Sequence, residues 1–178
     1  NLNNVPLDNI TWWEQITGEY VGVLHMQHRI PNTQDSGTVT GGQWNVGPLT
    51  SVAYNNITGA SLDTGTYEFT LPAGRYYVYA TRDVFYVNGY ATRIYDVTNA
   101  QTAIIGEKGY ADQGDGYNSE HIPIVGVLEP TAPTTYRVEL YAQTTRSGTG
   151  WGYTTNSYGG EDAVWGNVTV TDLNSLVG

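Results

Sequence analysis

Residues 135–144, TYRVELYAQT, set Tyr136, Val138, Leu140 and Ala142 against Arg137, Glu139, Tyr141 and Gln143. Alternation with a period of two is the mark of an extended strand with one buried face. The same pattern runs through EYVGVLHMQ (19–27), TYEFTL (66–71), RYYVYATR (75–82), ATRIYDV (91–97) and AVWGNVTV (163–170), while AIIG (103–106) and IPIVGVL (122–128) are short apolar runs bounded by turn residues. Helical spacing is nearly absent. One helical turn is expected in LDNITWWEQI, capped by Asp8 or Asn9. Turn signals separate the strands at Pro72-Ala-Gly74, Asn88-Gly89, Asn99-Ala, Asp115-Gly116 and Thr131-Ala-Pro133. Of these, Asn88-Gly89 predicts a type I′ hairpin most strongly, because both residues tolerate positive φ. Roughly eight to ten strands at this spacing predict two antiparallel sheets packed face to face. No fixed internal repeat is present, which argues against propellers and β-helices.

Length fits one domain with a real core: the chain has 178 residues. It has no cysteine, so neither a disulfide framework nor a thiolate metal site is available, and stability must come from packing or from association. No apolar run is long enough for a helical membrane span. Asn1 in place of Met suggests that an upstream portion is missing. Seven basic against seventeen acidic side chains give a formal charge of −10, the wrong sign for a phosphate backbone, and nucleic acid is not expected as a partner. With charged residues at only 13 %, and with 22 glycines and 15 tyrosines, the composition matches an extracellular β protein better than a helical cytosolic enzyme.

Several segments carry a resemblance. GEYVGVLHMQH, SGTVTGGQWNVGPLTSVAYNN, TGTYEFTLPAGRYYVYATRDVFYVNGYATRIYDVTN and TTYRVELYAQTTRSGTGWGY with its terminal strand together resemble the C1q/TNF-like domains found at the ends of bacteriophage tail fibres. The likeness covers about residues 19–172. Its most specific part is F-T-L-P-A-G-x-Y at 69–76 followed by V-N-x-x-x-x-R-I-Y-D-V-T at 87–98. It implies an all-β jelly roll of ten strands, an antiparallel two-sheet sandwich that assembles as a homotrimer and recognises a host surface. Residues 19–178 form the head on this reading. Residues 1–18, which hold Trp12 and Trp13, have no counterpart and are expected to be a neck or linker to an upstream fibre shaft. No heptad pattern supports a coiled coil there. The loop at 110–123 is longer and more acidic than the resemblance leads one to expect.

Within the most specific segment, Pro72 ends one strand because it donates no ladder hydrogen bond, and Gly74 permits a hairpin-like corner. The next strand then directs Tyr76, Val78 and Ala80 inward. Tyr77 and Tyr79 fall on the opposite face, an aromatic strip that association around a threefold axis would cover, and they are the candidate interface residues.

The glycine-rich stretch SGTGWGYTTNSYGG (147–160) joins the last two strands at one end of the sandwich, where binding loops commonly sit. Its rings can stack on sugar faces and bond hydroxyls. For Trp151 burial and ligand contact both stand as readings; for Tyr153 and Tyr158 ligand contact is favoured. With Tyr117, Asn118 and Asn156 they make up the candidate ligand-binding set. Asp112, Asp115, Asn118 and Glu120 gather oxygen ligands of the kind Ca²⁺ takes, in a spacing unlike an EF-hand; a solvated acidic loop is the favoured reading, and no cofactor is expected. His25 and His28 point to opposite faces of a strand and so cannot share a zinc ion without a bulge. Three Asn-x-Thr sequons, at Asn9, Asn56 and Asn167, carry little weight in a chain this rich in both residues.

Catalytic signatures are absent: no GxSxG elbow, no phosphate loop, no HExxH and no cysteine nucleophile. Two carboxylates suffice for glycoside hydrolysis, but no spacing in the sequence singles out a pair. The expectation is therefore a non-enzymatic, extracellular receptor-binding head at the tip of a phage tail fibre, adhering to a host glycan or outer-surface protein. The alternative is a structural trimerisation domain, or one that decorates a capsid or filament, with no receptor of its own.

Overall fold

The computed structural model describes residues 21–112, 119–153 and 160–174. The neck expected at 1–18 and the helical turn within it lie outside them. Eleven strands follow in order: β1 Val23–Ile30, β2 Trp44–Val46, β3 Ser51–Asn55, β4 Ser61–Asp63, β5 Glu68–Leu71, β6 Tyr76–Phe85, β7 Asn88–Asp96, β8 Gln101–Ala111, β9 Ser119–Leu128, β10 Thr134–Ala142 and β11 Ala163–Asp172. The described residues contain no α-helix.

Two antiparallel sheets result. Sheet one runs β3-β1-β11-β6-β9 and sheet two β4-β5-β10-β7-β8, with β2 pairing β10 beyond the end of β5. Successive strands mostly change sheet: β5 to β6, β6 to β7, β8 to β9, β9 to β10 and β10 to β11 all cross the sandwich. This is the jelly-roll connectivity.

The crossings correct two readings of the turns. Asn88-Gly89 is no hairpin turn, because β6 pairs with β11 and β9 while β7 pairs with β10 and β8. The positive φ values fall at Tyr86 and Asn88, and Gly89 lies within β7, its N–H donating to Gln143 Oε1 at 3.1 Å. Likewise Pro72-Ala-Gly74 carries the chain from sheet two to sheet one, held by the Gly74 N–H donating to Pro130 O at 2.9 Å. Asn99-Ala does make a tight hairpin between β7 and β8, with Ala100 at φ 54° and the Asn99 N–H capped by Asp96 Oδ1.

The inward faces meet in two clusters. The larger includes Leu24, Met26, Phe69, Tyr76, Val78 and Val170; the smaller collects Val39, Val84, Ile122, Leu140 and Trp151 toward the other end. Full burial of one such side chain contributes about 1.5–3 kcal/mol. Tyr76, Val78 and Ala80 point inward as the alternation predicts. So does Arg82, which is fully buried; its guanidinium donates to Pro48 O at 2.7 Å and Gly47 O at 3.2 Å, tying the segment before β3 to β6. Desolvation lowers Arg82 to about 9, so it stays charged at neutral pH.

Register fixes the two ends. Val23 pairs with Thr171 and Asp172 with Tyr76 at the base, while Ile30 pairs with Ala163 and Phe85 with Ser119 at the apex. Residues 21 and 174 therefore lie at the base, and the described segments 31–43, 86–87, 143–153 and 160–162 gather at the apex, one strand length away.

Candidate functional site

At the apex, residues 146–150 are sewn to the segment after β1. Val39 and Arg146 exchange backbone hydrogen bonds at 2.9 and 2.8 Å, the Gly37 N–H donates to Gly148 O at 2.7 Å, and the Gly150 N–H returns one to Gly37 O at 2.9 Å. The buried Ser36 hydroxyl donates to Gly152 O at 2.6 Å. The glycines allow this closeness. A Cβ on Gly150 would lie 2.7 Å from Val39, and one on Gly152, at φ 137°, would lie 2.1 Å from the Trp165 ring. Glycine here lets large rings be buried under a tight chain, because it removes the side chain that would hold the backbone away.

Trp151 accordingly takes the first of its two readings. It is 2 % exposed, packed among Val39, Val84, Ala111 and Leu140, with no ring face left for an external ligand. Tyr153 is half-buried and stacks on Phe85 at 4.8 Å, Phe85 stacks on Tyr86 at 4.1 Å, and the Arg146 guanidinium lies 5.0 Å from the Phe85 ring. This apical stack was hidden in the sequence, since Phe85 and Tyr86 lie some seventy positions from Tyr153. Tyr117, Asn118, Asn156 and Tyr158 fall outside the described residues, as does Asp115. Asp112 is exposed and Glu120 half-buried, and the described residues hold no group of three His, Cys, Asp or Glu side chains arranged for a metal ion. Beside them, His121 Nδ1 pairs with Asp83 Oδ1 across β9 and β6. Burial pushes the Asp83 carboxyl up, and its hydrogen bond to His121 works against that shift.

The outer face of sheet one is the second candidate surface. Cross-strand register lines up Tyr54, His25, Thr169, Tyr79 and Val125 in one row, and Val23, Thr171, Tyr77 and Val127 in the next. Tyr77 and Tyr79 are 40 % and 43 % exposed in the single chain, Val125 and Val127 48 % and 42 %. Sequence reading identified the tyrosines. It passed over the valines, although Val125 and Val127 alternate with buried Ile124 and Leu128 inside what looked like one apolar run. At the base, an open cleft of about 250 Å³ is lined by Asp96, Asn99, Gln101, Glu129 and Tyr136. The Asp96 carboxylate is already occupied there by the Asn99 backbone and side-chain N–H groups at 2.9 and 2.8 Å.

No protein-family model and no curated protein sequence matches the chain. Solved structures do. An Eiger TNF from S. frugiperda aligns at TM-score 0.56 and 11 % identity over 86 % of this chain and 92 % of that one. Murine APRIL at pH 8.5 aligns at 0.52 and 11 %, over 86 % of this chain and all of that one. The globular domain of zebrafish complement 1qA protein aligns at 0.51 and 9 %, over 84 % and 94 %. The fold is the TNF/C1q jelly roll, an all-β antiparallel sandwich, as the sequence predicted.

Proposed function

We propose that the chain is a non-enzymatic recognition head that works as a homotrimer. The observation that carries this reading is the outer face of sheet one: two rows of half-exposed tyrosine, valine and threonine crossing several strands of a TNF/C1q fold. A protein that kept such a face wet would forgo about 25 cal/mol for every Å² of apolar surface it failed to cover. Threefold closure through Tyr77 and Tyr79 covers it and leaves the apex, away from residues 21 and 174, free for contact.

The finer assignment rests on the sequence resemblance to phage tail-fibre heads. In it the domain sits outside the cell at the tip of a virion tail fibre, the neck leads to the shaft at the base, and the apical loops adhere to a host glycan or outer-surface protein. Tyr117, Asn118, Tyr153, Asn156 and Tyr158 supply stacking and hydrogen bonds, and Trp151 anchors the loop from beneath. Weak single sites suffice, because three on one rigid head raise the effective concentration of the next contact. No cofactor is required.

Light scattering tests the assembly, with a mass near three times 19.4 kDa as the expected result. Adsorption to a panel of intact bacteria tests recognition. Alanine at these five positions should lower adsorption while the trimer stays whole; a trimer that adsorbs to no host would favour the decorating or purely structural role instead.

A further inference from the structure

The three histidines sit in three different electrical settings. His28 faces the interior at 2 % exposure, its Nδ1 has no hydrogen-bond partner, and burial first, then the nearby Arg82 charge, lower it to about 3. His121 faces Asp83, which supplies a counter-charge whenever the imidazole takes a proton. His25 alone lies within the uncharged face, between Tyr54 on β3 and Thr169 on β11. Its Nε2 is 3.2 Å from Asn167 Oδ1, which also accepts from Gln27 Nε2 at 3.1 Å, and its Nδ1 is 3.4 Å from the Thr169 hydroxyl. A neutral ring satisfies this set, with one nitrogen donating to the amide oxygen and the other accepting from the hydroxyl.

The surroundings offer a proton on His25 no counter-ion. On its own strand the nearest charge is Arg29, itself paired with Asp162 at 3.0 Å. β3 contributes Tyr54 and Val52, and β11 contributes Asn167, Thr169 and Thr171, with Asp172 turned toward the inward-facing Tyr76. β6 and β9 add Tyr77, Tyr79, Val125 and Val127, and their charged pair, Asp83 with His121, lies at the apical margin. Phenols remain neutral in acid. Among the described residues, no carboxylate faces His25.

We infer that His25 makes the assembly acid-labile: a proton on its ring loosens the homotrimer. The inference rests on the trimer proposed above. Closing the face takes the ring out of water, which a neutral imidazole tolerates and an unpaired cation does not, and threefold symmetry brings three such rings into one interface. The sign follows. The assembled state favours the neutral ring, so the association is full while the ring is neutral and is lost as acid protonates it. With one proton taken up per subunit, the trimer dissociation constant rises by up to about a thousandfold per pH unit.

The full chain is measured by light scattering at about pH 8 and about pH 5.5, beside His25→Gln and His121→Gln, with near-ultraviolet circular dichroism as the check on folding. The wild type should be trimeric at the higher pH and smaller but still folded at the lower. His25→Gln should stay trimeric at both, and His121→Gln should behave as the wild type. His28 gives every one of these proteins the same acid-sensitive background, so recovery in His25→Gln isolates His25. Where His25→Gln does not fold, His25→Asn takes its place, and the wild-type His25 ring resonance must titrate together with the fall in mass. A wild type still trimeric in acid, a His25 variant that dissociates like it, or a fall in mass that only accompanies unfolding overturns the inference. A folded monomer at pH 8 is a different failure, since it removes the trimer itself.

Discussion

The two outer faces of the sandwich are built from similar tyrosines and opposite electrostatics. On sheet two, Glu139 is almost completely covered by two arginines: Arg93 Nη2 reaches its Oε2 at 2.5 Å and Arg137 Nη2 its Oε1 at 2.7 Å, while Arg137 Nη1 also meets Glu68 at 3.3 Å. The same guanidiniums lie over aromatic rings, Arg93 at 3.9 Å from Trp44 and 4.5 Å from Tyr95, and Arg137 at 5.2 Å from Tyr95. Trp44 and Tyr141 meet edge to face at 5.7 Å. Each of these charges finds its partner inside one chain. On sheet one the rings lie beside valines and threonines, and the central polar set, Gln27, His25, Asn167 and Thr169, carries no charge when His25 is neutral. One surface neutralises its charges with its own side chains, and the other is the face through which we propose that the trimer closes.

The comparison breaks most directly at Tyr79. Tyr79→Glu places a charge in the middle of the uncharged face, and it should convert the proposed trimer to a folded monomer of 19.4 kDa, read by light scattering. A trimer that survives this change would mean that the face is not the interface.

Acid acts on the fold from behind the same sheet. Because His28 is held at about 3 in the folded chain, its neutral form supports the fold fully above the ordinary histidine range. That support is lost as pH falls from about 6.5 toward 3, on the order of 5 kcal/mol in full. Denaturant titrations across that range should show the loss in the wild type and a flatter profile in His28→Leu.

Glu139→Gln sharpens the account of sheet two. It leaves Arg93 and Arg137 without their shared carboxylate and should cost about 2 kcal/mol in urea unfolding, with the trimer mass unchanged. Trp44→Ala, on the exposed rim of that network, should cost about 1 kcal/mol or less. Chelation with EDTA should leave mass and stability as they were. A loss of the trimer on chelation would bring back the cation reading of Asp112, Asp115 and Glu120.

Much of the fold was legible because six segments repeat one alternation long enough to be read, from EYVGVLHMQ to AVWGNVTV, and two more are short apolar runs bounded by turns. Strands β2, β3 and β4 were not, since three to five residues hold too few periods, and β3 is an edge strand with almost every residue exposed. Asn88-Gly89 misled because positive φ serves a crossing between sheets as well as it serves a hairpin. At the apex, sequence offered aromatic rings on a glycine-rich chain without saying which were buried. Gly150 and Gly152 draw the backbone onto Val39 and Trp165 and press Trp151 inward, and the contact with Val39 joins residues more than a hundred positions apart.

The sequence by itself determined that the chain is a two-sheet β sandwich and that Tyr77 and Tyr79 share a face turned away from the core, since a period of two is a local property of extended backbone. Tertiary structure alone decided that His25 would lie in that face without a counter-charge, that Arg82 would be buried and that Glu139 would be shared by two arginines. Charge pairing depends on which strands become neighbours, and neighbourhood across a jelly roll is set by crossings that no local pattern encodes.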